Sequence, residues 1–152
     1  MNLILWRHAE AEDTASSDLA RQLTTRGRKQ AQASAKWLRA RLPDDAVILA
    51  SPATRTVQTA ESLTDQYRVV REIAPDTSAA DVLTAAGWPN GIAPTVVVVG
   101  HQPTLGHVVA RLLADSGASW PIKKSAIWWI ESRTRGNDEQ AVLLAAITSD
   151  LI

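Results

Sequence analysis

The sequence predicts a three-layer α/β/α fold in which a mainly parallel mixed sheet carries an antiparallel edge at its C-terminal end. Two patterns lead to this prediction. Short apolar runs first alternate with segments of helical periodicity, and two strand-like segments joined by a polar turn then follow. The length of 152 residues and the hydrophobic fraction of 45% suit one core, so we expect a single domain over residues 1–152.

Four short segments are predicted as the strands of the parallel part of the sheet. They cover residues 3–6, 46–50, 69–72 and 95–99, and the last is the strongest because all its residues are β-branched. The antiparallel edge is predicted as a hairpin of residues 126–131 and 140–148, which flank a polar turn containing Gly136 and Asn137.

Helices are predicted between these strands from their capping and stop residues. The first runs to about residue 42, the second opens after residue 51, the third is short, and the fourth follows the turn at residues 100–103. Thr24 or Thr25 caps the first helix and Pro43 ends it, and Pro52 suits the first turn of the second. Ser78 or Asp81 begins the third helix, Gly87 ends it, and the fourth follows Pro103.

Composition excludes several classes of function. The chain has 16 Lys and Arg against 16 Asp and Glu, whereas binding to nucleic acid or an anionic membrane requires a strongly basic surface. It has no cysteine, which excludes disulfides, thiolate metal sites and cysteine nucleophiles. No apolar run approaches membrane-spanning length and the N-terminus lacks the pattern of a signal peptide, so we expect a cytoplasmic protein.

Polar residues of one chemical kind follow three of the predicted strands. Arg7 and His8 follow the first, Arg55 lies one turn after the second, and His101 follows the fourth. The carboxyl ends of parallel strands meet at one edge of a sheet, and ligands of open α/β sheets bind there. The sequence therefore predicts a cluster of two guanidinium and two imidazole groups.

This cluster suits a phosphoryl group. Arginine offers a rigid fork of donors that matches phosphate oxygens, and a protonated histidine and helix N-termini would add to the positive potential. A neutral imidazole can attack phosphorus directly and form a phosphohistidine intermediate that water hydrolyses. A zinc site built from His8, His101 and an acid is the alternative, but it lacks the usual ligand spacing.

Four motifs in order resemble the histidine phosphatase superfamily, also called phosphoglycerate mutase-like. The family has Arg-His-Gly after its first strand, a Leu-Thr-x-x-Gly-x-x-Gln-Ala helix start, a second arginine motif and a distal histidine motif. The corresponding segments here are Arg7-His8-Ala9, residues 23–31 (LTTRGRKQA), residues 51–60 (SPATRTVQTA) and residues 99–105 (VGHQPTL). The short chain and the segment 124–127 (KSAI) before a strand are similar to the SixA-type phosphohistidine phosphatases.

The resemblance implies a fold, an activity and a set of site residues. It implies a phosphoglycerate mutase-like fold, His8 as the nucleophile, and a phosphate pocket of Arg7, Arg55 and His101 with no cofactor and no metal. The expected activity is hydrolysis of protein phosphohistidine, with a phosphorylated protein such as a phosphotransfer domain as partner. A small-molecule phosphomonoesterase is the alternative, and a non-catalytic phosphate-binding domain is a weaker one.

The general acid has no convincing position in the sequence. No glutamate lies where larger members of the family place this acid, so Asp18 is the first candidate, with Asp76 or Asp81 behind it. An imidazole leaving group needs less protonation than an alkoxide, so a missing acid favours a phosphohistidine substrate. Ala9 in place of the usual glycine, and Thr14 where mutases have asparagine, are further departures, and the second argues against a mutase.

Overall fold

The computed structural model describes residues 1–152 and contains one six-stranded mixed sheet. The strands are β1 (Asn2–Arg7), β2 (Val47–Ala50), β3 (Arg68–Val69), β4 (Thr95–Gly100), β5 (Ile127–Arg135) and β6 (Asp138–Ile147). Their order across the sheet is β3-β2-β4-β1-β5-β6. Strands β1 to β4 are parallel and β5 and β6 are antiparallel, which confirms the predicted fold class.

Four helices cover the two faces of the sheet. They are α1 (Thr25–Arg39), α2 (Thr54–Glu61), α3 (Ala79–Ala86) and α4 (Thr104–Ala114). The core beside α3 and α4 contains Leu3 and Leu5, whereas the core beside α1 and α2 contains Ile4 and Trp6. Successive side chains of β1 thus pack into the cores on opposite faces of the sheet, because side chains alternate between the two faces along a strand.

Several predicted boundaries differ from the structure. Helix α1 ends at Arg39 rather than near residue 42, because Pro43 disfavours helical backbone before it and the chain leaves the helix through a turn closed on the Leu38 carbonyl. Strand β3 is confined to Arg68–Val69, where only two residue pairs join it to β2. The hairpin strands are longer than predicted and leave Gly136-Asn137 as a two-residue turn, with Gly136 at φ 62°.

The caps of α1 and α3 agree with the sequence, whereas Pro52 lies outside α2, because Ala53 is still extended at ψ 141° and the helix begins only at Thr54. Thr24 caps α1 by accepting a hydrogen bond from the Gly27 amide, and Ser78 caps α3 by accepting one from the Asp81 amide. Gly87 ends α3 in the left-handed conformation at φ 72°. None of the helices combines the length and the apolar character that crossing a membrane requires.

Candidate active site

The carboxyl ends of β1, β2 and β4 meet at one edge of the sheet. Arg7 pairs with Gly100 in the β1–β4 register, and the His8 amide donates to the Gly100 carbonyl at 3.1 Å. The Ser51 amide donates to the Val99 carbonyl at 3.1 Å, which places the end of β2 on the other side of β4. His8, Ser51 and His101 therefore follow three adjacent strands.

A cavity of about 310 Å³ opens at this edge and contains all four residues predicted for the phosphate pocket. His8, Arg55 and His101 are buried at its base, with 7%, 4% and 4% of their surface exposed. The remaining lining residues come mostly from loops, and several are exposed on the rim. The full lining is Arg7, His8, Ala11, Asp13, Asp18, Arg21, Arg55, Pro75, Asp76, His101, Gln102 and Lys124.

The His8 ring is held so that one nitrogen is free to react. Its Nδ1 lies 2.7 Å from the Ala9 carbonyl oxygen, which can only accept, so Nδ1 carries the proton and Nε2 carries the lone pair. Burial lowers the pKa of His8 to about 4; the Ala9 hydrogen bond opposes the shift, whereas the charges of Arg55 and Arg7 add to it. The ring is therefore neutral and nucleophilic at pH 7.

His101 faces His8 across the cavity. The two ring centroids are 5.4 Å apart with the planes inclined at 52°. Burial, followed by the proximity of His8 and the charge of Arg55, lowers the pKa of His101 to about 3. The prediction that a protonated histidine adds charge is therefore wrong for the unliganded site, where the guanidinium groups supply the positive charge.

Both predicted arginines are fixed by hydrogen bonds to the protein. Arg7 donates from one terminal nitrogen to the Ile122 carbonyl at 2.7 Å. Arg55 donates to the Asp18 carbonyl at 2.9 Å and to the Asp18 carboxylate at 3.2 Å. In each guanidinium the Nε is buried and has no partner in the protein. A third buried nitrogen without a partner is Nδ1 of His101.

Asp18 is placed differently from the general acid that the sequence suggested. Its carboxylate lies 3.1 Å from Arg21 Nε and 3.2 Å from a terminal nitrogen of Arg55. Partial burial raises its pKa, but the charges and hydrogen bonds of Arg55 and Arg21 outweigh this effect and hold the pKa of Asp18 below its usual range. Asp18 is therefore ionised at neutral pH and cannot donate a proton there.

The two other candidates for the general acid, Asp76 and Asp81, lie in different places. Asp76 lines the cavity from an exposed loop position at φ 69°, whereas Asp81 lies outside it and accepts a hydrogen bond from the Thr77 hydroxyl at 2.9 Å. No group of three or more His, Cys, Asp or Glu side chains is arranged to hold a metal ion.

Sequence reasoning missed two cations of the cavity lining, Arg21 and Lys124. Arg21 donates to the Glu12 carbonyl at 3.0 Å in addition to its ion pair with Asp18. It is the only basic residue between Ala9 and Gln22, and that isolation is the one signal in the sequence that singles it out. Lys124 begins the segment 124–127 that is similar to the SixA-type proteins, but this similarity did not by itself place Lys124 at the cavity.

The motif residues on α1 and α2 hold the loop that follows His8. The Gln30 side chain accepts from the Glu10 amide at 3.0 Å, and the Thr59 hydroxyl accepts from the Ala9 amide at 3.1 Å. Gly27 packs directly on this loop, because a β-carbon there would overlap the Glu10 carbonyl. Helix residues 20 to 50 positions away in sequence thus fix the backbone next to His8.

Comparisons with known proteins agree with this geometry. Residues 3–81 match the sequence model of the family described as histidine phosphatase superfamily, branch 1. The chain is 32% identical over 120 residues to phosphohistidine phosphatase SixA of Escherichia coli K12, covering 74% of each protein. It is 32% identical over 127 residues to a SixA homolog of Haemophilus influenzae, covering 74% of this chain and 77% of that protein. Among solved structures, the protein histidine phosphatase SixA complexed with tungstate superimposes with a TM-score of 0.81 at 26% identity over 99% of both chains.

Proposed function

This chain belongs to the histidine phosphatase superfamily, and from that premise we propose that it hydrolyses phosphohistidine on a protein with His8 as the nucleophile. The relatives at 32% identity are phosphohistidine phosphatases by name, which supports a phosphatase with this substrate class. The roles assigned to individual residues below are part of the proposal.

One observation carries the assignment of the phosphate pocket. Three buried side-chain nitrogens have no hydrogen-bond partner in the protein, and all three belong to residues that line the cavity of His8. They are Nε of Arg7, Nε of Arg55 and Nδ1 of His101. An unpaired buried polar group costs about 1–3 kcal/mol, so a cluster of them is retained where a ligand satisfies them. A tetrahedral oxyanion presents acceptors in several directions and fits this arrangement.

In the proposed first step, the Nε2 lone pair of His8 attacks phosphorus. The new bond joins phosphorus to Nε2 of His8, and the bond from phosphorus to the substrate imidazole breaks. His8 needs no external base, because its pKa of about 4 leaves Nε2 unprotonated at pH 7. The proton stays on Nδ1, which keeps donating it in a hydrogen bond to the Ala9 carbonyl throughout the step.

The Arg7 and Arg55 guanidinium groups stabilise the negative charge on the phosphoryl oxygens while the phosphoryl group passes from the substrate imidazole to His8. Both are fixed in the protein before a substrate arrives, so little reorganisation accompanies the reaction. Asp18 contributes through Arg55, which it holds by its backbone carbonyl and its carboxylate. Water then attacks the phosphorus on His8, which releases inorganic phosphate and restores the neutral ring.

The state of the carboxylates favours phosphohistidine as the substrate. Phosphohistidine that carries a proton on its second ring nitrogen releases a neutral imidazole, whereas an alkyl phosphate must release an alkoxide or receive a proton. Asp18, the carboxylate in contact with Arg55, is held ionised and does not serve as that donor. The other two carboxylates of the lining, Asp13 and Asp76, are exposed, so no carboxylate lies among the buried residues at the base, which favours a leaving group that departs without help.

The shape of the cavity favours a substrate presented on a side chain. The nucleophile is 7% exposed at the base, whereas the Asp18 side chain on the rim is 59% exposed. The segment between β3 and β4 contributes only Pro75 and Asp76 to the lining, and no long insertion encloses the opening. A phosphohistidine side chain of a phosphotransfer domain can enter such an opening end-on, and this kind of domain is the proposed partner.

A panel of phosphorylated substrates tests the proposal. The kcat/KM of the purified protein would be measured on a histidine-phosphorylated phosphotransfer domain, a serine-phosphorylated peptide and small sugar phosphates. His8→Gln is the matched inactive control. We expect the phosphohistidine protein to be the best substrate and His8→Gln to be inactive on all of them. Faster turnover of sugar phosphates than of the phosphohistidine protein would instead establish a small-molecule phosphomonoesterase.

A further inference from the structure

A buried hydrogen bond joins the ends of β2 and β4 behind the cavity. The Ser51 Oγ lies 2.7 Å from Nε2 of His101, and Ser51 is completely buried. The other ring nitrogen of His101, Nδ1, has no partner in the protein. Which of these two nitrogens carries the proton decides whether the ring offers a donor or a lone pair to an anion in the cavity.

The hydrogen bonds of Ser51 determine the direction of this contact. The Ser51 Oγ accepts from the Ala53 amide at 3.3 Å, and the contact with His101 is its only other hydrogen bond. If His101 donated through Nε2, the hydroxyl oxygen would accept twice and its own buried hydrogen would have no acceptor. Leaving a buried donor unsatisfied is unfavourable. If Ser51 donates to Nε2, every polar group of Ser51 is satisfied.

We propose that Ser51 is a positioning residue that fixes His101 as its Nδ1–H tautomer and so makes that ring a neutral hydrogen-bond donor to the phosphoryl group. The inference rests on the proposed function only in taking a phosphoryl oxygen as the acceptor. The ring is neutral in the free site, since the pKa of His101 lies at about 3, so the tautomer rather than protonation supplies the donor. Two guanidinium groups and one neutral N–H then surround the anion.

Loss of the Ser51 hydroxyl has a defined consequence. In Ser51→Ala nothing holds the proton on Nδ1, and Nε2 of His101 loses its donor. The Nε2–H tautomer would present the Nδ1 lone pair to the phosphoryl oxygens, which repel it. A hydrogen bond to a charged group contributes about 1.5–3 kcal/mol, so we expect kcat/KM to fall about 10–100-fold.

The tautomer is read directly by long-range ¹H–¹⁵N correlation spectra of the ¹⁵N-labelled protein at pH 7. The chain has only three histidines, so the His101 signals are identified by their loss in His101→Gln. We expect wild-type His101 to be protonated at Nδ1, and Ser51→Ala to shift the population toward Nε2–H. A wild-type ring protonated at Nε2 would overturn the proposal, even if Ser51→Ala fails to fold.

A double-mutant cycle separates this role from simple packing. Binding of inorganic phosphate is measured by calorimetry for wild type, Ser51→Ala, His101→Gln and the double variant, with melting temperatures as the folding control. We expect Ser51→Ala to weaken phosphate binding in the wild-type background and to have little further effect once His101 is replaced. Equal losses in both backgrounds would show that Ser51 acts independently of His101. Neither readout uses phosphohistidine, so failure of the substrate proposal would be recognised separately.

Discussion

Replacement of Arg55 by alanine tests the phosphate pocket most sharply among single variants. The Arg55 side chain is 5% exposed, its two terminal nitrogens are bound to Asp18, and its Nε has no partner in the protein. Removing one fixed donor aimed at transition-state charge costs about 2.7–4 kcal/mol, which corresponds to a fall of about 10²–10³-fold in kcat. We therefore expect kcat/KM of Arg55→Ala to fall by at least about 100-fold.

The fold should survive this change, because the partner left behind is a surface carboxylate. The Asp18 side chain is 59% exposed and keeps its ion pair with Arg21. Arg55→Lys retains the charge but loses the fork of donors, so we expect it to recover little activity. Arg133→Ala on the exposed β5–β6 hairpin is the matched control and should behave as wild type. Near-wild-type kcat/KM in Arg55→Ala, with an unchanged melting temperature, would remove Arg55 from the pocket.

Three further predictions concern protonation, the Asp18 ion pair and the nucleophile loop. His8 should titrate near pH 4 by NMR, and a His8 pKa near 6.5 would contradict the burial argument. Because His8 in the unfolded chain binds its proton near pH 6.5, the melting temperature should fall as the pH falls from 6.5 toward 4. Asp18→Asn keeps the hydrogen bond from Arg55 to the Asp18 carbonyl but loses the ion pair, so kcat/KM should fall modestly, about 2–10-fold. The shape of the pH profile of kcat/KM should not change, whereas loss of its alkaline decline in Asp18→Asn would identify Asp18 as the general acid. Gly27→Ala should lower both the melting temperature and kcat/KM because its β-carbon overlaps the Glu10 carbonyl, whereas Gly117→Ala, with open space around it, should leave kcat/KM unchanged.

Local sequence patterns accounted for the fold and for the base of the cavity. Strands β1, β2 and β4 are apolar because both faces of the sheet are covered there, and this same burial makes the polar residues that follow them conspicuous. His8 and His101 could be placed together because both lie at carboxyl ends of parallel strands. Trp128 and Trp129 pack on opposite faces, as strand alternation predicts.

The features that were missed depend on contacts distant in sequence. The pKa of Asp18 is lowered by Arg21, three residues away, and by Arg55, 37 residues away, and the second contact cannot be read from the local sequence. Arg21 reaches the cavity because the loop is fixed through Leu23, whose amide donates to the Gln58 side chain at 2.8 Å. Likewise, the neutrality of His101 follows from burial by elements that meet only in the folded chain.

A covalent intermediate on His8 is the central claim, and rapid quenching of the reaction tests it most directly. The protein is mixed with excess labelled phosphosubstrate, quenched in base within the first turnovers, and the modified peptide is located by mass spectrometry. Base preserves phosphohistidine and acid destroys it. We predict an acid-labile phosphoryl group on Nε2 of His8, the ring nitrogen left free by the hydrogen bond to Ala9. Continued turnover by His8→Gln, or a phosphoryl group trapped on another residue of the wild-type protein, would contradict the account.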